Sequence, residues 1–314
     1  MSETTAEGSA RVPIQIVRQT SFVTIAYLAA SAILTVLWGR AALWWPAIVT
    51  AHVALCVVLI SLGRRRPLAR SLSVALDWHP LALFPILYKE VQLLATTVGD
   101  WRLTAVVSAA EERLFWGQPS IYLSERLRVV ALSEYLHFCY LAYVLLIPGI
   151  ACYWYLTKQR AAFHELMLLL AIVMFGSYLV FILWPVDSPF YRFDRLSPPL
   201  AGHLFFDLVH FVSSRGGARG GAFPSAHVSG AVVLWLVAFR YQRRLAILLT
   251  PMIAGLIVAT VYGRFHYVLD TIAGVALAFA VVGVYRLMRG PVGRLMCDTE
   301  CVRRRAGRSQ TSRS

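Results

Sequence analysis

Long apolar segments separated by short polar loops make up most of this chain. Eight of them reach or approach the roughly 20-residue length of a helix that crosses a bilayer. They lie at about 20–38, 43–62, 79–98, 130–156, 162–184, 225–240, 244–262 and 267–287. The segment at 79–98 fits either a crossing helix or an interfacial helix, because two prolines, Lys89 and Glu90 interrupt its apolar pattern.

The composition favours a membrane protein. The 314 residues are 58% hydrophobic and 15% charged, whereas soluble domains carry about 25% charged residues. The mean hydropathy is +0.63. A net charge of +14 is compatible with nucleic-acid binding in general, but here the positive residues lie in short loops and in the C-terminal tail. That distribution predicts membrane orientation and no nucleic-acid partner.

The loop charges predict which helix ends face the cytoplasm. Four basic clusters should be cytoplasmic by the positive-inside rule; they lie at 64–70, 158–160, 240–244 and 303–305. The first two clusters share one side only if an even number of crossings separates them. With the span at 130–156, this requires that 79–98 crosses or that some other odd number of crossings occurs between residues 70 and 130. The prediction is therefore about eight spans with both termini inside. It places residues 185–224 and 262–266 on the extracytoplasmic face.

These patterns predict an all-α fold, a polytopic transmembrane helix bundle of about 6–8 spans. Residues 1–15 and the basic stretch 291–314 are expected to be disordered, the latter as a cytoplasmic tail. Residues 16–128 should form N-terminal membrane helices followed by an external segment. Residues 129–290 should form the helix bundle that holds the candidate catalytic groups.

Two histidines are the candidate reactive groups. His227 ends the sequence Gly-Ala-Phe-Pro-Ser-Ala-His at 221–227, and His266 begins His-Tyr-Val-Leu-Asp at 266–270. The stretch between them is almost entirely apolar and long enough for two crossings. Because two crossings return the chain to the face that it left, we expect the two imidazoles to meet at one membrane surface.

The residues before His227 favour anion binding. Ser-Arg-Gly-Gly-Ala-Arg-Gly-Gly at 214–221 leads into a helix expected to begin near Pro224. Glycines let a phosphate approach the backbone, the first amides of a helix point towards it, and arginines add forked donors. A glycine loop alone is more often a flexible linker, but His227 directly after it favours phosphate binding. The candidate phosphate ligands here are Arg215, Arg219, Gly220, Gly221 and Ser225.

His266 and Asp270 are four residues apart and so share one face of a helix. An Asp that accepts the N–H of one ring nitrogen leaves the other with an oriented lone pair, and it stabilises the positive charge that develops on attack. The pair alone also fits an ordinary interfacial helix end. With His227 as proton donor and arginines around a glycine loop, it predicts phosphoryl transfer. No carboxylate cluster suited to magnesium lies nearby, so we expect neither a metal nor a cofactor.

Both histidine motifs resemble signatures of the type 2 phosphatidic acid phosphatase superfamily, the second and the third. The resemblance is specific over 219–275 and is closest to the superfamily's inositolphosphotransferase branch, which includes inositol phosphorylceramide synthases. It implies a six-helix core, His266 as the nucleophile that forms a phosphohistidine, Asp270 as its partner and His227 as the general acid.

The chain departs from the superfamily pattern at the residues that clamp phosphate. The third signature usually has an arginine six residues before its nucleophile, where this chain has Thr260. Arg264, nearby at a different spacing, is a further candidate for binding the substrate phosphate. The first signature, a lysine and an Arg-Pro pair, is absent as such. Its candidate replacement is Trp-Pro-Val-Asp-Ser-Pro-Phe-Tyr-Arg, which ends at Arg192. The inositolphosphotransferase branch is itself degenerate at these places.

The predicted function is that of a metal-independent integral membrane enzyme, a lipid phosphatase or phosphotransferase. It would act on a lipid phosphate or a phospholipid headgroup at the extracytoplasmic face, and the short loops favour a bacterial inner membrane. The acceptor, water or an alcohol, and the oligomeric state are left open. The alternatives are a non-catalytic lipid-binding or transport protein that keeps the fold, a vanadate-type haloperoxidase, and a magnesium-dependent alcohol phosphotransferase, which needs paired aspartates.

Overall fold

The protein is described by a computed structural model that covers residues 3–64, 68–98, 101–193, 202–216 and 219–311. Only the backbone is described at 3–15, 41, 98, 102, 215–216 and 290–311. Within these residues the chain is α-helical apart from its loops. The helices are α1 (Glu3–Trp38), α2 (Trp45–Arg64), α3 (Arg70–Val98), α4 (Arg102–Phe115), α5 (Pro119–Arg126), α6 (Val130–Leu156), α7 (Arg160–Leu183), α8 (Pro189–Arg192), α9 (Leu204–Gly216), α10 (Ala226–Tyr241), α11 (Arg243–Tyr262) and α12 (Val268–Thr311).

Among the described helices, six are long and apolar enough to cross a membrane. They are α1 from Ile16 onward, α2, α6, α7, α11 and α12 as far as Arg289. The chain is therefore an integral membrane protein, and the predicted all-α transmembrane bundle is confirmed. Two further helices fall outside these limits, since α10 has only 16 residues and α3 contains charged residues and two prolines.

α7 is the central helix of the bundle. It packs against α1, α3, α6, α10 and α12, and it is buried on nearly every side, as expected for a helix that is apolar all round. Phe163, Phe175 and Phe181 of α7 and Trp154 of α6 are at most 2% exposed. Since lipid tails are as apolar as these side chains, close packing holds the core together.

α3 runs beside α7 along its whole length. At one end, Asp77 Oδ1 lies 3.9 Å from His164 Nδ1 near the start of α7. At the other end, Ala95 of α3 and Pro185, just after α7, both lie against Gly220. Consequently α3, which contains the irregular segment 79–98, has the extent of a crossing helix.

The short helices α4, α5, α8 and α9 lie at the end of the bundle where α3, α7 and α11 finish, called here the histidine end. The predicted external segment 101–128 forms two of them, α4 and α5. α9 is fixed by Glu134 at the start of α6, whose carboxylate accepts the backbone N–H groups of His203, Phe205 and Phe206 at 2.8, 3.0 and 3.2 Å. A carboxylate in this position caps a helix and favours its dipole.

Both tails were predicted to be disordered, and this stays a prediction; the described backbone there is helical. α1 begins at Glu3 and α12 continues to Thr311, so most of 1–15 and 291–314 is helical. The polar composition suggested disorder, but arginine, leucine, methionine and alanine are all good helix formers. A helix that a membrane span has already nucleated can therefore extend through such residues.

Candidate active site

The segment before α10 brings His227 to the histidine end. Ser225 is the N-cap of α10, and its hydroxyl accepts the N–H of Val228 at 3.4 Å. His227 follows in the first helical turn and is partly buried. Ser225 was predicted as a phosphate ligand; its side chain is fully buried and is used as this cap.

His266 reaches the same place from the loop between α11 and α12. Its ring centroid lies 5.7 Å from that of His227, with the two planes at 62°. α12 approaches α10 closely because Gly274 has no side chain, and a Cβ there would lie 2.6 Å from the carbonyl oxygen of Ser225. The apolar hairpin of α10 and α11 thus brings the two imidazoles into contact.

The orientation of the His266 ring comes mainly from a backbone group. Its Nδ1 lies 2.9 Å from the carbonyl oxygen of Ala222 and 3.7 Å from Asp270 Oδ2. Because a carbonyl only accepts, Nδ1 is the donor and carries the proton, which leaves the lone pair on Nε2. The expected partner was Asp270. It lies near enough to act through its charge, but its Oδ2 accepts the N–H of Tyr267 at 2.8 Å.

A short backbone bridge holds the Ala222 carbonyl in place. Val186 donates its N–H to the carbonyl of Gly220 at 3.1 Å, and Ala222 donates to the carbonyl of Val186 at 3.0 Å. Gly220 has a φ of +85°, which disfavours side chains, and a Cβ there would lie 2.8 Å from Pro185 Cβ. The glycines before His227 therefore serve a close backbone contact.

Arg219 precedes the backbone bridge at Gly220, and its guanidinium forms a fork with Asp187. Its Nε lies 3.3 Å from Asp187 Oδ1, and its second nitrogen donates to Oδ2. Asp187 also accepts the N–H of Gly220 at 3.2 Å, and its own N–H donates to Thr104 of α4 at 3.1 Å. The hydrogen bond that Arg219 donates to Asp187 raises the pKa of Arg219 above its ordinary value. The side chain of Arg219 is still 55% exposed, so it remains accessible to a phosphate.

The other predicted arginines are placed differently. Arg264 is buried and donates from Nε to Ser124 at 2.9 Å, with a second nitrogen 3.4 Å from Glu125, so its guanidinium ties the His266 loop to α5. Burial lowers its pKa from the ordinary value. Arg192 ends α8 and is exposed. The side chain of Arg215 lies outside the described residues.

Several neighbours of the histidines were not predicted. Tyr140 stacks on His227 at 5.2 Å between centroids, and Tyr143 contacts the same ring at 5.2 Å. Their spacing of three residues on an apolar helix was the available signal. Glu111 of α4 accepts the N–H of Val268 at 3.0 Å. Among the described residues, no three His, Cys, Asp or Glu side chains are grouped to hold a metal ion.

The fold and site define a helical membrane protein with two imidazoles, an oriented carboxylate and an exposed arginine at one end of its bundle. A family model for the PAP2 superfamily matches residues 106–284, from α4 into α12. The chain belongs to this superfamily, that of the type 2 phosphatidic acid phosphatases. Membership supports, in general terms, an enzyme of the phosphatase type that transfers phosphoryl groups of lipids. Comparisons with curated proteins and with solved structures give no match.

Proposed function

We propose that the protein transfers a phosphoryl group from a lipid phosphate or phospholipid headgroup through a phosphohistidine at His266. The observation that carries the proposal is the hydrogen bond from His266 Nδ1 to the Ala222 carbonyl, which leaves Nε2 free. The ring of His227 lies beside it, at 5.7 Å between centroids. A nucleophile and a proton donor in contact are the minimum for this reaction.

In the first half-reaction, the Nε2 lone pair of His266 forms a bond to phosphorus while the bond from phosphorus to the leaving oxygen breaks. Protonated His227 gives its proton to that oxygen. In the second half, neutral His227 takes a proton from water or an alcohol, whose oxygen displaces the imidazole from phosphorus. This step restores both histidines, because the proton lost in the first half returns in the second.

Charge on the transferred phosphoryl oxygens is met by Arg219, with Arg192 as a further candidate, and by the backbone amides of Gly221 and Phe223. The N–H groups of Gly220, Ala222 and Ser225 already donate within the protein. We propose that these groups make a metal ion unnecessary, since cationic side chains can stabilise such charge in a water-poor site. Asp187 holds the Arg219 guanidinium in its forked orientation. Asp270 stabilises the positive charge that forms on His266 during attack.

We place the histidine end on the extracytoplasmic side of the membrane, with both termini cytoplasmic. The opposite end carries Lys158, Arg160, Arg240 and Arg243, in keeping with the positive-inside rule. A lipid of the outer leaflet would then approach sideways. We assign the protein to a bacterial inner membrane on its short loops.

The acceptor decides between a lipid phosphatase and an inositolphosphotransferase-like headgroup transferase. Thr260, where an arginine is usual, and Arg264, held by α5, favour the transferase branch, which is degenerate at these positions. The rival proposal, a non-catalytic lipid-binding or transport protein, keeps the fold but needs no oriented nucleophile.

The test is to incubate the purified protein with radiolabelled phospholipids and lipid phosphates, with and without alcohols such as inositol. Free phosphate indicates hydrolysis, and a new phosphorylated product indicates transfer. His266→Ala should lower the rate by about 10⁴-fold or more, since the covalent route is lost. His203→Ala, which removes an exposed histidine side chain, should change it less than about twofold.

Turnover by His266→Ala at the wild-type rate would overturn the proposal. Absence of turnover in the wild type across the panel would favour the binding or transport protein. A further arm adds excess chelator, and loss of activity there would contradict metal independence.

A further inference from the structure

Glu111 is a buried carboxyl group that α4 brings into the candidate site from outside the membrane spans. It is 0% exposed, whereas the adjacent Glu112 is exposed. Its Oε1 accepts the N–H of Val268, the first residue of α12, at 3.0 Å. α4 thereby contacts the chain two residues after His266.

Two carboxylates together cap the start of α12. Asp270 accepts the N–H of Tyr267 at 2.8 Å from within the helix, and Glu111 accepts the next N–H from across the site. The first amides of a helix have no partner inside it, and burying them without one is costly. His266 lies directly before these amides, so any movement of them moves its ring.

We propose that Glu111 is a positioning residue for His266: its oxygen caps α12 from α4 and so holds the segment that carries the nucleophile. The inference rests on the proposed function for its effect on turnover. The capping oxygen is the essential feature, and a negative charge is not required. Glu111→Gln should therefore keep the positioning function, because the amide oxygen of glutamine can accept the same N–H.

Three substitutions of Glu111 distinguish the effect of its hydrogen-bond acceptor from the effect of its negative charge. Glu111→Gln keeps the acceptor and should retain kcat within about threefold. Glu111→Leu removes the acceptor, and Glu111→Asp keeps the charge but shortens the side chain by one methylene; both should lower kcat about 10- to 100-fold with KM changed less than about twofold. Glu112→Gln is the matched control on the exposed face of α4 and should match the wild type. Each rate is measured on the lipid that the wild type turns over.

A second readout needs no activity. Amide hydrogen exchange at residues 266–269 should be faster by about tenfold or more in Glu111→Leu and Glu111→Asp, and unchanged in Glu111→Gln and Glu112→Gln. If the wild type turns over no lipid, the proposed function fails, and exchange alone still decides whether Glu111 holds this segment. If Glu111→Leu does not fold, both turnover and hydrogen exchange are measured on Glu111→Asp instead.

The pH dependence of stability gives a third readout. Burial raises the pKa of Glu111 to about 7, the Val268 amide opposes this, and the negative charge of Asp270 adds to it. Among the described residues, the other titratable or charged groups here are Tyr267, whose pKa responds to Glu111, Asp270 and Arg192, and His266, which lies beside Asp270. The folded protein thus holds the Glu111 proton more tightly than the unfolded chain, so stability from this group is lost as the pH rises towards about 7.

Glutamine does not titrate, so Glu111→Gln should gain melting temperature relative to the wild type between about pH 5 and pH 8. The proposal is overturned if Glu111→Gln loses as much turnover as Glu111→Leu, or if Glu111→Asp keeps wild-type turnover and exchange. A melting difference independent of pH would contradict the buried position from which the cap is argued.

Discussion

Two histidine–carboxylate pairs in this molecule differ in their surroundings. In the N-terminal helices, Glu90 lies 2.8 Å from His52, and its other oxygen accepts from Ser31 at 2.8 Å. At the histidine end, Asp270 lies 3.7 Å from His266 Nδ1, and its Oδ1 has no hydrogen-bond partner among the described residues. The carboxylate of the shorter pair has partners on both oxygens, whereas the carboxylate of the longer pair has a partner on one. The longer pair has the features of a reactive site.

The difference separates a pair that joins helices from the pair for which we propose a reactive role. Glu90 and His52 join α3 to α2, and Ser31 adds α1. His266 has a backbone carbonyl on one ring nitrogen and a second imidazole beside it. The family match from 106 to 284 includes the second pair and excludes the first. The distance between histidine and carboxylate alone would have selected the His52–Glu90 pair, which lies outside the family match.

The largest expected difference comes from neutralising one carboxylate in each pair. Neutralising Asp270 should lower turnover, whereas neutralising Glu90 should lower stability. Asp270→Asn should lower turnover about 10³-fold with little loss of stability, because asparagine can still accept the Tyr267 N–H but carries no charge. Glu90→Gln should cost about 1–2 kcal/mol of stability and keep turnover within about twofold. Lipid turnover and thermal unfolding in detergent measure both. Equal loss of turnover in the two variants would remove the distinction.

The role of His227 is tested by comparing two substrates whose leaving groups differ in their need for a proton. His227→Ala should slow transfer from a lipid about 10²- to 10³-fold, since the departing alkoxide then lacks a proton donor. With p-nitrophenyl phosphate the loss should be much smaller, because that leaving group departs without protonation. His266→Ala should be inactive on both substrates. A His227→Ala defect of the same size on both would contradict a general-acid role.

A smaller effect is expected from the backbone that orients His266. Gly220→Ala should lower turnover about tenfold, because a Cβ 2.8 Å from Pro185 displaces the bridge that holds the Ala222 carbonyl. Gly283→Ala is the matched control, since nothing lies within 4 Å of a Cβ there. Its turnover should be unchanged and its stability slightly higher, as alanine favours a helix. Turnover of Gly220→Ala equal to that of the control would show that the bridge is dispensable.

The apolar pattern predicted the helix bundle because each membrane helix must satisfy its backbone within itself. The irregular segment 79–98 was ambiguous from sequence, since its prolines and charges fit two interpretations. Its packing beside α7 resolved the extent of α3. The disorder of the tails was predicted from their polarity and stays a prediction, while several of their residues are good helix formers.

The parts of the site that were missed depend on tertiary contacts. The Ala222 carbonyl is a backbone group, and no side-chain motif indicates where a carbonyl points. Asp187 and Glu111 lie far in sequence from Arg219 and Val268, and only folding brings them together. Phosphate binding by Arg264 stays a prediction, and its contact with Ser124 of α5 could not be read from the sequence. The contact between His227 and His266 could be predicted from sequence, because the two residues are joined by one continuous pair of apolar helices, α10 and α11.

The most direct test is to locate the phosphoryl group on the enzyme. The protein is mixed with a labelled lipid substrate, quenched within milliseconds at alkaline pH, where phosphohistidine survives, and digested for mass spectrometry. The phosphoryl group should be on Nε2 of His266 and absent from His266→Ala. Label on Nδ1 of His266, on another residue, or on none during active turnover would contradict the assignment of His266 as the nucleophile.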